Sequence, residues 1–161
     1  MNASIALMAF VTLQRLGELV LANRNTQALK ARGAIEYEPA HYPLIVAFHA
    51  AWLAGLWWAA PLQPMQPAWL FIFALLQLCR VWVIATLGAR WTTRIIVLPG
   101  APLVQKGPFK LIRHPNYAVV AGEIFVLPMV FGLVEYALVF SAIHLLVLAI
   151  RIRAENRALA A

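Results

Sequence analysis

Five apolar runs, separated by short polar or proline-rich stretches, take up most of this chain. A helix needs about 20 predominantly apolar residues to cross a hydrocarbon core of about 30 Å. The runs cover roughly Ala3 to Ala22, Pro43 to Ala60, Ala68 to Leu87, Tyr117 to Val134 and Tyr136 to Ile150. Only 12% of residues are charged and aspartate is absent, whereas a soluble domain is roughly a quarter charged. The first run starts without a basic leader or a small-residue cleavage site, which predicts a retained helix rather than a signal peptide. The expected fold is all-α, an integral membrane bundle of about five transmembrane helices, forming a single multi-pass domain over residues 1–161.

The connections refine this picture. A polar loop is expected from Asn23 to about Tyr42, and Pro61 to Pro67 is uncharged and closed to helix by its prolines. The longest non-spanning segment runs from Gly88 to Asn116. Within it, Ile95-Ile96-Val97-Leu98 is apolar and β-branched and is stopped by Pro99-Gly100, which predicts an extended piece or a dip into the interface. A tight turn at Glu135 makes the last two spans a hairpin. Outside the spans, lysine and arginine fall on alternate connections, so five spans collect them on one face. The positive-inside rule makes that face cytoplasmic and puts the C-terminus inside.

The net charge of +7 does not point to nucleic acid, because no basic run is interleaved with aromatics as a nucleic-acid surface requires. Cys79 is the only cysteine, which excludes a disulfide framework and a multi-cysteine metal site. The four histidines are widely spaced, so no metal is expected.

Two polar clusters stand out. The first is Gly107-Pro108-Phe109-Lys110-Leu111-Ile112-Arg113-His114-Pro115-Asn116-Tyr117; the second is Arg151-Ile152-Arg153-Ala154-Glu155-Asn156-Arg157. Polar side chains at the mouth of a membrane helix are costly unless they bind something. If the fourth and fifth spans form a hairpin, both clusters meet at the cytoplasmic end. Arg151 and Glu155 share a helix face. His144 lies seven residues before Arg151 on the same stripe, and Asn116 and Glu123 are spaced likewise, so a polar seam runs into the bundle. The competing reading is that Arg151, Arg153 and Arg157 anchor a helix end to anionic headgroups. Elsewhere, Arg15 and Glu18 are either a structural pair or part of a substrate channel. Gln77 and Arg80 either line a cavity or bond between helices, and His49 reads as a packing residue.

The order Gly-Pro-Phe, four residues, His-Pro-Asn-Tyr, then a helical hairpin ending Arg-Ile-x-x-Glu resembles the isoprenylcysteine carboxyl methyltransferase family, over roughly Leu87 to Leu159. The stretches Gly88 to Ile96, Arg32 to Glu36 and His41-Tyr42-Pro43 look closest to a bacterial branch, some of whose members methylate hydroxyls of long-chain alkylpyrones or alkylresorcinols. The resemblance implies a bacterial cytoplasmic-membrane enzyme using S-adenosylmethionine and releasing S-adenosylhomocysteine, with its cofactor-binding half at about 87–159. Carried over by position, the cofactor pocket would involve Leu103, Val104, Phe109, His114, Pro115, Asn116, Tyr117 and Glu155, while Arg151 would face the substrate and act in catalysis. Two departures are visible: Phe109 stands where the family often has tyrosine, and Asn156 follows Glu155 where it commonly has a second glutamate.

The residue chemistry is consistent with such a donor. His114 and nearby backbone N–H groups suit its carboxylate, Glu155 suits its ribose or ammonium, and Phe109 and Tyr117 offer aromatic faces to adenine or the cationic sulfur. A glycine-rich dinucleotide turn is absent from the sequence, so a Rossmann methyltransferase is not expected. A carboxylate acceptor, with a pKa of about 4, arrives ionised, and alignment alone can supply about 7–11 kcal/mol. A hydroxyl needs a base or a nearby cation; His144 and Glu123 are the deep candidates for a base. The expected partners are a lipophilic acceptor from the bilayer and membrane lipids. Two other classes compete. One is a small transporter using Arg80, Glu123 and His144 as an ion path, which predicts paired half-repeats although His-Pro-Asn-Tyr has no counterpart in the first half. The other is a non-catalytic membrane scaffold. The enzyme reading requires Tyr117 and Glu155 to come together.

Overall fold

The computed structural model describes residues 3–160 and contains five α-helices and one two-stranded ladder. Helix α1 is Ala3–Ala31, strand β1 Ile35–Glu36, α2 Tyr42–Ala59, α3 Pro67–Leu87, β2 Ile96–Val97, α4 Pro115–Val130 and α5 Val134–Ala160. Among the described residues, four helices (α1, α2, α3 and α5) are long and apolar enough to cross a membrane. With 16 residues, α4 reaches only about 24 Å at about 1.5 Å per residue.

Proline and glycine set several boundaries. Pro67 and Pro115 occupy first-turn positions of α3 and α4, where the missing N–H costs nothing. Pro128 comes near the end of α4, and Gly132, at φ +69°, makes the reversal into α5. The hairpin between the last two spans is therefore present, but its turn is Phe131–Leu133 rather than Glu135, which sits in the first turn of α5. The fourth span correspondingly ends at Val130 and not at Val134. A second boundary also moves. α1 continues to Ala31, nine residues past the expected end at Ala22. Beyond the apolar run it needs only one protected stripe, and Ala22, Thr26 and Leu29 are buried while their neighbours face outward.

Helix α4 is the centre of the bundle. Eight of its residues are buried, among them Glu123, Ile124, Leu127 and Val130, and it packs against both α3 and α5. The main apolar core gathers Met8, Val11, Trp52, Leu56, Phe73, Leu127 and their neighbours from all five helices. Leu13, Leu78, Val81 and Leu146 are exposed on the outside, as a lipid-facing surface allows.

Hydrogen bonds identify the two ends. At one, Ser4 Oγ donates to the carbonyl of Gln63, and Gln66 N–H donates to that of Val130. At the other, Asn25 Nδ2 reaches the Trp91 carbonyl at 2.7 Å, and β1 pairs antiparallel with β2, Ile35 opposite Val97 and Glu36 opposite Ile96. The expected extended piece is thus half of a small ladder. A satellite core of Ile95, Ala154 and Ala158, with Tyr37 and Val97 against it, fastens this ladder to the last turns of α5. Every lysine and arginine except Arg15 and Arg80 lies toward this second end.

Candidate active site

The loop between α3 and α4 folds over the second end of the bundle and brings both polar clusters together. Tyr117, in the first turn of α4, donates its hydroxyl hydrogen to Glu155 Oε2 of α5 in a short hydrogen bond. Arg151 Nε donates to the same hydroxyl at 2.9 Å, and its Nη2 donates to the Thr93 carbonyl at 2.6 Å. The guanidinium is therefore clamped between loop and helix. His114 stacks on the Tyr117 ring with centroids 5.4 Å apart, lies 3.7 Å from Glu155 Oε2 through Nδ1, and pairs through Nε2 with Asn156 Oδ1 at 3.2 Å. These partners are 34 to 42 residues apart in sequence.

Two cavities meet at this cluster. One, of about 740 Å³, opens at the second end of the bundle; cations of the α3–α4 loop and Glu155 contribute to its wall. The other, of about 300 Å³, lies within the bundle and is overwhelmingly apolar, with Leu16, Ile45, Val120 and Val147 among its lining residues. Trp91, Thr92, Asn116, Tyr117 and Arg151 line both. They form the partition between a polar chamber and an apolar one.

Of the eight residues expected around a cofactor, seven line the polar chamber, from Leu103 and Val104 to Glu155. Pro115 is buried beneath it and starts α4. Arg151 stands in the partition, and His144 lines the apolar chamber. Glu123 lines neither. Its side chain is fully buried and accepts from Arg15 Nη2 at 2.8 Å, Arg80 Nη1 at 2.9 Å and Gln77 Nε2 at 2.8 Å. Arg80 also pairs with Glu18 through Nε and, at 2.5 Å, through Nη2; Arg15 reaches Glu18 at 3.1 Å. Two arginines and two glutamates thus neutralise one another across α1, α3 and α4, which is how charges are sustained at membrane depth. Arg15 and Glu18 do pair, as half of a larger set, and both also line the apolar chamber, so both readings of them stand. Gln77 and Arg80 do bond between helices, while Arg80 also touches the apolar chamber.

Sequence reasoning missed several contributors. Trp91 and Thr92 stand in the partition, and the Thr93 carbonyl anchors Arg151. Asn156, named in the second polar cluster and as a departure from a glutamate but given no role, holds His114. His49 is hydrogen-bonded and packed as expected, its Nδ1 bonded to the Ile45 carbonyl at 2.8 Å, and what was not foreseen is that it lines the apolar chamber beside His144, ring centroids 5.7 Å apart. The neighbourhood of Arg151 was the one available signal for Asn156; Thr93 contributes backbone, which carries no sequence mark.

The fold and site define a multi-pass membrane protein in which a surface chamber and an intramembrane chamber share a wall. Comparison with known proteins gives this class its family. The model of the isoprenylcysteine carboxyl methyltransferase family matches residues 69–161, and the chain belongs to that family of membrane methyltransferases. It is 40% identical to the uncharacterized protein YpbQ of Bacillus subtilis (strain 168), over 95% of this chain and 94% of the relative. It is 31% identical to an uncharacterized protein of Haemophilus influenzae, over 90% of this chain and 88% of that protein. No solved structure matches it significantly.

Proposed function

We propose that this protein is an S-adenosylmethionine-dependent O-methyltransferase acting on a lipophilic acceptor, with the donor in the polar chamber and the acceptor in the apolar one. The observation that carries this reading is the shared partition: Tyr117 and Arg151 face both chambers. A volume of about 740 Å³ is within the range of about 300–1,000 Å³ usual for small-molecule sites. The donor set also fits. Glu155 Oε2 is engaged by Tyr117, while Oε1 has no partner among the described residues and suits a ribose hydroxyl or an ammonium. His114 and the backbone N–H groups at the start of α4 suit a carboxylate, and the rings of Phe109 and Tyr117 suit adenine or a cationic sulfur. When bound, S-adenosylmethionine supplies an electrophilic methyl group on a sulfonium.

Arg151 positions the nucleophile. A guanidinium has five N–H donors, of which two are used within the protein; the others are available to an acceptor oxygen. The apolar walls exclude water and hold the greasy part of the acceptor, either a long-chain polyketide lipid bearing a hydroxyl or a prenylated cysteine bearing a carboxylate. We favour the hydroxyl, because Arg32 to Glu36 and Gly88 to Ile96, the stretches that resemble the bacterial branch, meet in the β1–β2 ladder beside the site. The cationic end of the bundle faces the cytoplasm in this reading, in a bacterial inner membrane. Glu123 belongs to the charge network rather than to the chemistry.

Calorimetric titration with S-adenosylhomocysteine tests the proposal. Wild type should bind saturably, and His114→Ala and Glu155→Ala should each weaken binding at least tenfold. No binding by wild type would remove the assignment. Transfer of labelled methyl groups into lipid phenols, pyrones and prenylated cysteines then identifies the acceptor class.

A further inference from the structure

A hydroxyl acceptor brings a proton that a carboxylate does not, and the site must dispose of it. The deep candidates serve this poorly. Glu123 is surrounded by donors and lines neither chamber. His144 is seven residues below Arg151, about 10 Å along α5, while the Arg151 guanidinium bonds upward to Thr93 and across to Tyr117.

Resting on the methyltransferase reading above, we propose that Tyr117 and Glu155 form a proton relay that lets the site methylate hydroxyls. Three observations converge on it. The Tyr117 side chain faces both chambers, whereas Glu155 faces only the polar one. The Tyr117 hydroxyl already donates to Glu155 Oε2, and with one lone pair of its oxygen taken by Arg151 Nε the other remains to accept. Arg151 Nε donates to that oxygen, which stabilises negative charge developing there.

An acceptor hydroxyl at the partition donates its hydrogen bond to Tyr117 Oη. As the acceptor oxygen's lone pair forms the O–CH₃ bond, the S–CH₃ bond breaks and its electron pair stays on sulfur, giving a neutral thioether. The acceptor proton passes to Tyr117 Oη while Tyr117's own proton passes to Glu155 Oε2. Glu155 ends as a neutral acid facing the polar chamber, where water can take the proton, and Tyr117 ends unchanged in charge. The relay thus moves a proton out of the apolar chamber without leaving a charge in it. The other titratable and charged groups around it are His114 next to Glu155, Arg151 on α5, and Arg90, Arg94, Lys110 and Arg113 of the α3–α4 loop on the polar side, with Arg15, Glu18, Tyr42, His49, Arg80 and His144 lining the chamber on the other side.

The test uses two phenols with one alkyl tail: an ordinary phenol with a pKa of about 10, and a ring-nitrated one that is already ionised in the assay. Methyl transfer from saturating labelled S-adenosylmethionine is followed from pH 6 to 9 in wild type, Tyr117→Phe and Glu155→Gln. General-base help is worth about 10²–10⁴-fold. Tyr117→Phe should lose that factor on the ordinary phenol and under tenfold on the nitrated one, and Glu155→Gln should show the same selectivity in kcat. Wild type should be nearly independent of pH on the ordinary phenol, while Tyr117→Phe should gain about tenfold per pH unit. Equal losses on both phenols would make Tyr117 a positioning residue and overturn the relay. So would a wild-type rate on the ordinary phenol that climbs tenfold per unit, an outcome readable even if neither variant folds. Wild type that binds S-adenosylhomocysteine and methylates carboxylates but no ordinary phenol refutes the relay and leaves the methyltransferase reading intact. Wild type that does not bind refutes both.

Discussion

Replacing Glu123 by glutamine keeps the shape of the side chain and removes one charge from a set that sums to zero. In the native protein its carboxylate accepts from two guanidiniums at 2.8 and 2.9 Å and from Gln77 at 2.8 Å. The amide would keep one acceptor oxygen for the two arginines, which share Oε2, and would turn its N–H₂ group toward the Gln77 Nε2 donor, while the negative charge opposite the guanidiniums is gone. The buried set would then carry one uncompensated positive charge. Each guanidinium–carboxylate attraction is about 4 kcal/mol at 4 Å and an effective dielectric constant of about 20. Breaking a buried pair by removing one partner costs about 3–5 kcal/mol, a large share of a total stability of about 5–15 kcal/mol. At about 2–4 °C per kcal/mol for a chain of this size, E123Q should lower the unfolding midpoint in detergent or lipid nanodiscs by roughly 6–20 °C. Neutrality returns in R15Q/E123Q, where Arg80 and Glu18 remain paired, and the double variant should recover about half of the loss as a coupling energy. Activity should follow the folded fraction alone. A midpoint within about 2 °C of wild type, or a double variant no better than the single one, would refute the network argument. Hydroxyl methylation lost at unchanged stability would return Glu123 to the chemistry.

Further outcomes are expected elsewhere. In G55A, the new methyl group would fall 2.4 Å from the Tyr136 hydroxyl, which donates to the Trp52 carbonyl at 2.6 Å. Overpacking of this kind costs about 1–3 kcal/mol, readable as a lowered thermal midpoint with donor affinity retained in the folded fraction. N156A frees His114 from its 3.2 Å partner; a hydrogen bond of about 0.5–1.5 kcal/mol corresponds to an S-adenosylhomocysteine Kd raised about 2- to 10-fold in titration. Burial pushes the Glu36 carboxyl upward, but bonds from Lys30 at 2.5 Å and Arg94 at 2.6 Å outweigh it and hold the group below its ordinary value of 4.5. Its stabilising contribution is therefore complete above about pH 4.5 and is lost as the pH falls through the lowered value; E36Q should remove that portion of acid sensitivity in pH-dependent melting.

Particular residues show where the sequence was sufficient. Pro67, Pro115 and Gly132 mark helix starts and a reversal because their backbone limits are local. The run Ile95 to Leu98 announced an extended segment, but its partner at Ile35–Glu36 lies some 60 residues away and has no local signature. The length of α1 was underestimated for a related reason: hydropathy measures how far a helix stays in lipid, not how far it continues once Thr26 and Leu29 have protein to pack against. At the site, the polar clusters, the hairpin and the Arg151–Glu155 face were legible. The fate of Glu123 was not, since a carboxylate in a membrane helix looks alike as a base and as a counter-ion until its neighbours are known.

Hydropathy and turn chemistry are properties of short windows, so the sequence alone determined an all-helical membrane bundle, its five apolar segments, its charge asymmetry and the presence of two polar clusters at one end. Only the tertiary structure decided which charges cancel, that two chambers share a wall, and that Tyr117 stands in that wall between Arg151 and Glu155. Those outcomes depend on helix rotation and on a folded-back loop. Both are fixed by packing between residues far apart in the chain, where no local pattern reaches.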